Sequence, residues 1–325
     1  MNRRPRRWLA LAALCALLCA APANAEAPVF RDEPIRPVPA ASTLNAAKVA
    51  LGARLFADPL LSRDGSVSCA SCHPLATGGT DHRPRSLGLN RAEGSVNAPT
   101  VLNSGLNFKQ FWDGRADTLE QQVDGPLLSP VEMGSSWDTV IAKLRRAPGY
   151  AKAFSQAYPD GLSPAAVRNA IAEFERSLTT PNSRFDRYLR GEDAALSAAE
   201  KSGYRKFKAY GCISCHQGVN VGGNMFQRMG VMGDYFADRG GVGKADYGRY
   251  NLTGDEADRF TFKVPSLRNV ELTAPYFHDG SAASLEQAVG IMAKYQLGRS
   301  LPPQDLDELV GFLKTLTGVR PGQAP

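Results

Sequence analysis

The sequence predicts an all-α fold with long ordered loops, built as two similar halves. Three observations carry this. Stretches with helical apolar spacing recur along the chain, strand-like alternation is scarce, and one local unit occurs twice. That unit is a helical stretch, a glycine-containing turn and a Cys-x-x-Cys-His string. Its copies are Cys69-Ala70-Ser71-Cys72-His73 and Cys212-Ile213-Ser214-Cys215-His216, 143 residues apart. Cys-x-x-Cys-His is the attachment motif of a c-type haem: both thiols reach one porphyrin edge, and the adjacent imidazole swings under the iron. A dithiol redox pair or a Cys-rich zinc site would use the cysteines but leave both histidines unexplained. The expectation is therefore two covalently bound haem c groups in two cytochrome c-like haem domains.

The elements follow in chain order. The first helical stretch runs from Ser42-Thr43-Leu44 to Phe56. Ser135-Ser136 precede a helix over Trp137–Arg146, which Pro148-Gly149 ends. Ser163 caps a helix with Pro164 at its first position, and Pro181 stops it. Val167, Ile171, Phe174 and Leu178 form its buried stripe. Pro181–Ala195, rich in charge, is the expected connection between the halves. A capping box, Ser197-x-x-Glu200, opens the helix that runs to Tyr210 before the second haem motif. The glycine-rich stretch Gly218–Gly243 is expected to wrap the second haem as a loop. Ser284-x-x-Gln287 opens a helix carrying Met292, and Leu306, Leu309, Val310 and Leu313 mark the last helix.

The N-terminal segment belongs to neither half. Arg3, Arg4, Arg6 and Arg7 precede the apolar stretch Trp8–Ala21 and the small-x-small site Ala23-Asn24-Ala25, the pattern of an export signal over residues 1–25. The apolar stretch is short for a membrane span. The expected domains are 26–185 and 186–325. The 325-residue chain carries +6, and removing four arginines leaves +2 before any haem propionate is counted, so the charge gives no reason to expect a nucleic-acid or membrane partner. Cys15 and Cys19 leave with the signal, and the remaining four cysteines are all in the haem motifs. Export to the periplasm is the expectation.

The sixth ligand of each iron decides function, because an open iron does chemistry and a doubly ligated one carries electrons. Four histidines remain: His73, His82, His216 and His278. Met292 lies 76 residues after His216 on a following helix, the usual layout of a His/Met cytochrome, with Met225, Met229 and Met232 in the glycine-rich stretch as competitors. Near the first motif the only spare imidazole is His82, and the first methionine is Met133.

At this point the chain resembles the bacterial dihaem cytochrome c peroxidases. The resemblance runs through Gly78-Gly79-Thr80-Asp81, Asn97-Ala98-Pro99-Thr100-Val101-Leu102-Asn103, Gln110-Phe111-Trp112-Asp113-Gly114-Arg115-Ala116 and Pro130-Val131-Glu132-Met133. It continues in Phe262-Lys263-Val264-Pro265-Ser266-Leu267-Arg268-Asn269, Thr273-Ala274-Pro275-Tyr276-Phe277-His278-Asp279-Gly280 and Met292…Gln296-Leu297-Gly298. It implies a peroxidatic haem on His73 and a high-potential, electron-receiving haem on His216 and Met292. It further implies that Glu132 is the distal acid/base, Gln122 a second distal-pocket residue and Trp112 the inter-haem stepping stone. Asn97, by its side chain, and Thr273 and Pro275, by their carbonyls, match the ligands of a calcium ion between the domains, a donor set suited to a hard cation. Hydrogen peroxide as substrate, a small cytochrome c or cupredoxin as donor, and a homodimer are also implied.

One departure stands out. Well-known members carry a histidine in a Ser-x-Gly-His string that ligates the peroxidatic iron until partial reduction releases it. Here the string is Ser86-Leu87-Gly88-Leu89. Either the haem is open in every redox state or His82 substitutes. Two rivals remain at this level. A methylamine-utilisation type of enzyme oxidises residues of a partner protein, but those relatives typically have a tyrosine at the Met292 position and lack the inter-haem tryptophan. A pure electron-transfer cytochrome would have two six-coordinate haems.

Overall fold

The computed structural model describes residues 31–39 and 43–320; the expected signal and Ser42 lie outside the described residues. The chain is helical, with a single two-stranded sheet among the described residues. The expected serine caps form: Ser136, Ser163, Ser197 and Ser284 each accept a hydrogen bond from the backbone N–H three residues on. Each thereby satisfies one of the unpaired donors of a helix N-terminus. The first helix is Ala46–Ala57, capped by Asn45.

The two halves repeat one packing device. The Ala46–Ala57 helix, which precedes the first haem motif, crosses the Pro164–Ser177 helix at Gly52. A Cβ on Gly52 would sit 1.9 Å from the Ala170 carbonyl oxygen. The Ala198–Ala209 helix, which precedes the second motif, crosses the Pro303–Lys314 helix at Gly203, where a Cβ would sit 1.9 Å from the Glu308 carbonyl oxygen. Glycine at each crossing lets the backbones touch, so each haem motif leaves a rigid helix pair at a defined place.

One apolar core surrounds the first pair and includes Leu55, Phe56, Leu127, Val140, Leu144, Phe154 and Val167. A second surrounds the other pair and includes Leu189, Tyr204, Phe207, Val310 and Phe312. Pro181–Ala195 is more than a connection. It holds the helix Arg184–Leu189, closed by a Ser183/Asp186 capping box, and Phe185 and Leu189 are fully buried in the second core. Ile35, from the N-terminal side, packs there too. Arg268 locks this corner. Its guanidinium, inaccessible to solvent, pairs with the equally inaccessible Asp186 at 2.7 Å and donates to the Arg36 and Val219 carbonyls. The glycine-rich stretch also differs from a plain loop. Phe226–Arg228 pairs antiparallel with Thr261–Lys263, and Tyr235–Arg239 is a short helix. No helix among the described residues is long and apolar enough to cross a membrane.

Candidate functional site

Each Cys-x-x-Cys-His string opens onto its own cavity. The first, about 590 Å³, is lined by Cys69, Cys72 and His73. The second, about 500 Å³, is lined by Cys212, Cys215 and His216. In both motifs the ring Nδ1 faces a backbone carbonyl: Gly79 O at 3.1 Å from His73 and Val221 O at 3.4 Å from His216. A carbonyl only accepts, so Nδ1 carries the proton and Nε2 keeps its lone pair for a metal. Burial lowers both imidazole pKa values, that of His216 to about 4, which keeps them in the neutral form that a metal requires. Gly222 permits the arrangement at His216. A Cβ there would meet the Pro265 carbonyl oxygen at 2.2 Å and His216 Nδ1 at 3.3 Å.

The residues fit two haems. Each cavity combines an imidazole with a free Nε2, two unpaired thiols and a mostly apolar wall of cofactor size. On the first cavity's wall, Ser86 Oγ, Ser104 Oγ and Glu175 Oε2 are buried without a hydrogen-bond partner among the described residues, as expected where a polar-edged group belongs. In the second cavity Met292 lines the wall from its helix Leu285–Leu297. Of its three rivals only Met229 reaches the same wall.

The first cavity gathers the three residues expected to do chemistry. Trp112, Gln122 and Glu132 all line it, with Phe111, Arg115 and Leu127. Gln122 ends the short Leu119–Gln122 helix. Glu132 is reachable by solvent, yet the protein around it still raises its carboxyl pKa by desolvation, against the pull of Ser129 and Arg115. The Glu132 backbone is held by Leu89, whose N–H donates to the Glu132 carbonyl at 3.0 Å. Leu89 itself is buried in the first core and lines neither cavity. His82 is exposed and also lines neither. Its ring nitrogens face the Thr77 carbonyl at 2.8 Å and the Ala274 carbonyl at 2.9 Å.

The two cavities share a wall. Asn97, Ala98, Pro99, Thr100, Trp112 and Phe262 line both. The Trp112 indole N–H donates to the Asn97 carbonyl at 2.9 Å, and the Asn97 N–H donates to the His278 carbonyl at 2.7 Å. The His278 ring stacks on Phe262 at 4.5 Å and meets Trp112 edge-on at 6.4 Å. Its Nε2 bonds Asp246 at 2.7 Å. Asp246, His278 and Asp279 could group around a cation, but Arg239 already pairs with both acids. Thr273, Pro275 and Asn97 lie together on the second cavity's wall. The Asn97 Nδ2 donates to the Arg83 carbonyl at 2.8 Å, which leaves Oδ1 as an acceptor.

Sequence reasoning passed over Glu175 and Lys263. Glu175 is buried on the Pro164–Ser177 helix and lies four residues after Ile171, so a carboxylate on the buried face was the available signal. Lys263 stood inside the matching string Phe262-Lys263-Val264-Pro265, but a three-residue strand has too little pattern to mark its lysine as buried.

Residues 46–194 match the family model described as di-haem cytochrome c peroxidase. The cytochrome c peroxidase of Escherichia coli is 49% identical over 91% of this chain; the chain spans 63% of that relative's length. The cytochrome c551 peroxidase of Nitrosomonas europaea is 46% identical over 89% of this chain and 86% of its own. Among solved structures, a MauG-like protein associated with microbial copper homeostasis superposes with a TM-score of 0.74 at 32% identity, covering 91% of this chain and 95% of that one. With two Cys-x-x-Cys-His cavities joined by one aromatic wall, and relatives of this identity across most of its length, the chain belongs to the di-haem cytochrome c peroxidase family.

Proposed function

We propose that this protein reduces hydrogen peroxide to water at the first cavity, using electrons received at the second from a small cytochrome c or cupredoxin. Each turnover breaks the O–O bond and consumes two electrons and two protons to give two waters. The observation that carries this reading is the convergence of Glu132, Gln122 and Trp112 on the His73 cavity, with Trp112 also lining the cavity of His216 and Met292. When bound, each haem supplies an iron that changes oxidation state, and an iron without a sixth protein ligand can also bind peroxide.

The chain supplies the rest. Glu132 takes a proton from one peroxide oxygen and returns it to the other, which leaves as water. Desolvation raises its carboxyl pKa, which makes it readier to hold a proton than a fully hydrated glutamate would be. The Gln122 amide orients the peroxide. Trp112, anchored through its indole N–H, gives electrons an aromatic step between the cavities. Leu89 offers no iron ligand, and His82 is engaged by two carbonyls away from both cavities, which supports a first haem open in every redox state. Met292 on the second wall and Trp112 on the shared one support a peroxidase over an enzyme that oxidises a partner protein. Calcium held by Asn97 Oδ1 and the Thr273 and Pro275 carbonyls would tie the halves together at this wall. The setting we propose is the periplasm, and the assembly a homodimer.

The test is peroxide turnover with a reduced cytochrome c donor, by fully ferric and by one-electron-reduced enzyme, for wild type and Glu132→Gln. We expect equal, immediate activity from both wild-type samples and a loss of about 10²–10⁴-fold in the variant with both haems retained. A lag abolished by pre-reduction would mean that a protein ligand closes the first haem. Near-normal activity in Glu132→Gln would remove that residue from the mechanism. No turnover in any sample would reject the peroxidase reading.

A further inference from the structure

The second cavity's wall has a charge imbalance. Among its lining residues the charged side chains are Lys263 and Arg228, and no aspartate or glutamate is present. Lys263 is the buried one, only 7% exposed at the end of the Thr261–Lys263 strand. Among the described residues its ammonium makes no hydrogen bond and no ion pair, and burial alone pulls its pKa down to about 8. A desolvated ammonium with no counter-charge is costly, by several kcal/mol in the general case, and proteins place one where an anion will meet it. The group that the Cys212-x-x-Cys215-His216 motif implies brings such anions, because a haem carries two propionates.

The backbone fixes where this happens. The Lys263 N–H donates to the Trp112 carbonyl oxygen at 2.7 Å, and Phe262, the preceding residue, lines both cavities and stacks on His278. Lys263 itself lines the second cavity and not the first.

We infer that the Lys263 ammonium forms a buried ion pair with a propionate of the second haem, beside Trp112, and that this pair holds the second haem at a high reduction potential. A fixed positive charge favours the reduced iron, which carries one positive charge fewer, and weak screening in a buried site makes the effect large. Lys263 therefore acts as a tuning residue that keeps the electron-receiving haem the easier of the two to reduce. The inference rests on two bound haems and not on peroxide turnover, so its test reads potentials.

The experiment is spectroelectrochemical titration of the haem-loaded wild type, Lys263→Gln and Lys263→Arg, with haem content measured in each. The expected result is a fall in the second haem's midpoint potential in Lys263→Gln, no change at the first haem, and recovery in Lys263→Arg. An unchanged second-haem potential in Lys263→Gln, or an equal fall at both haems, overturns the inference. Should the glutamine variant lose haem, a crystal structure of the loaded wild type decides. A propionate oxygen within 4 Å of Lys263 Nζ, the ordinary ion-pair distance, supports the pair, and an ammonium turned to solvent or to an acidic side chain overturns it.

Discussion

Glu175→Gln should change how this protein's stability depends on pH. Glu175 is 6% exposed, its Oε2 has no hydrogen-bond partner among the described residues, and burial pushes its pKa up to about 8. Arg176 pulls the other way and Glu120 adds to the rise. In the unfolded chain the same carboxyl titrates at its ordinary value of 4.5. Between these two values the folded state holds a proton that the unfolded state has released, so stability falls as pH rises, by up to about 1.4 kcal/mol per unit. Across the whole window the loss is a few kcal/mol, on the order of 3–5. Glutamine has no such proton. An unmet amide would shift its stability by a constant amount, so the informative quantity is the difference in slope. The assay is the denaturant midpoint of the haem-loaded wild type and variant at half-unit steps from about pH 5 to pH 8.5. The two should diverge steadily, with the variant gaining on the wild type as pH rises and the gap levelling off above pH 8. Parallel curves would mean that Glu175 is ionised in the folded protein and holds no proton there.

Two further perturbations test the scaffold. Asp186→Asn leaves the Arg268 guanidinium buried without its carboxylate, and should cost about 3–5 kcal/mol in denaturant unfolding; a loss under about 1 kcal/mol would show that the surrounding carbonyls suffice. Gly222→Ala forces a methyl against the Pro265 carbonyl beside His216, and should disturb the second haem's absorption spectrum while leaving the first unchanged. An unaltered second-haem spectrum would mean that the His216 loop yields without moving the imidazole.

Much of this protein was legible because its strongest signals are local. A Cys-x-x-Cys-His string defines its chemistry within five residues, and a serine cap is a contact across three, so both survive reading without tertiary context. The grouping of Glu132, Gln122 and Trp112 came from the resemblance, and the structure brings them to one cavity. The Pro181–Ala195 stretch read only as a connection between the halves, because its run of charged residues hides the apolar positions of a six-residue helix. Phe185 and Leu189, between those charges, point into the second core. The glycine-rich stretch hid a strand, because a three-residue pairing with Thr261–Lys263 depends on a partner over thirty residues away.

The sequence by itself determined two Cys-x-x-Cys-His strings, each pairing two thiols with an adjacent imidazole, and the capped helices around them. These are properties of residue type and short spacing. Only the tertiary structure decided that the cavities share Trp112, Asn97 and Phe262, that Ile35 joins the far core, that His82 is engaged away from both cavities, and that Glu175 and Lys263 are buried facing them. Burial and charge balance are sums over neighbours distant in the chain. No window of sequence contains them, and they decide which carboxyl keeps its proton and which lysine lacks a partner.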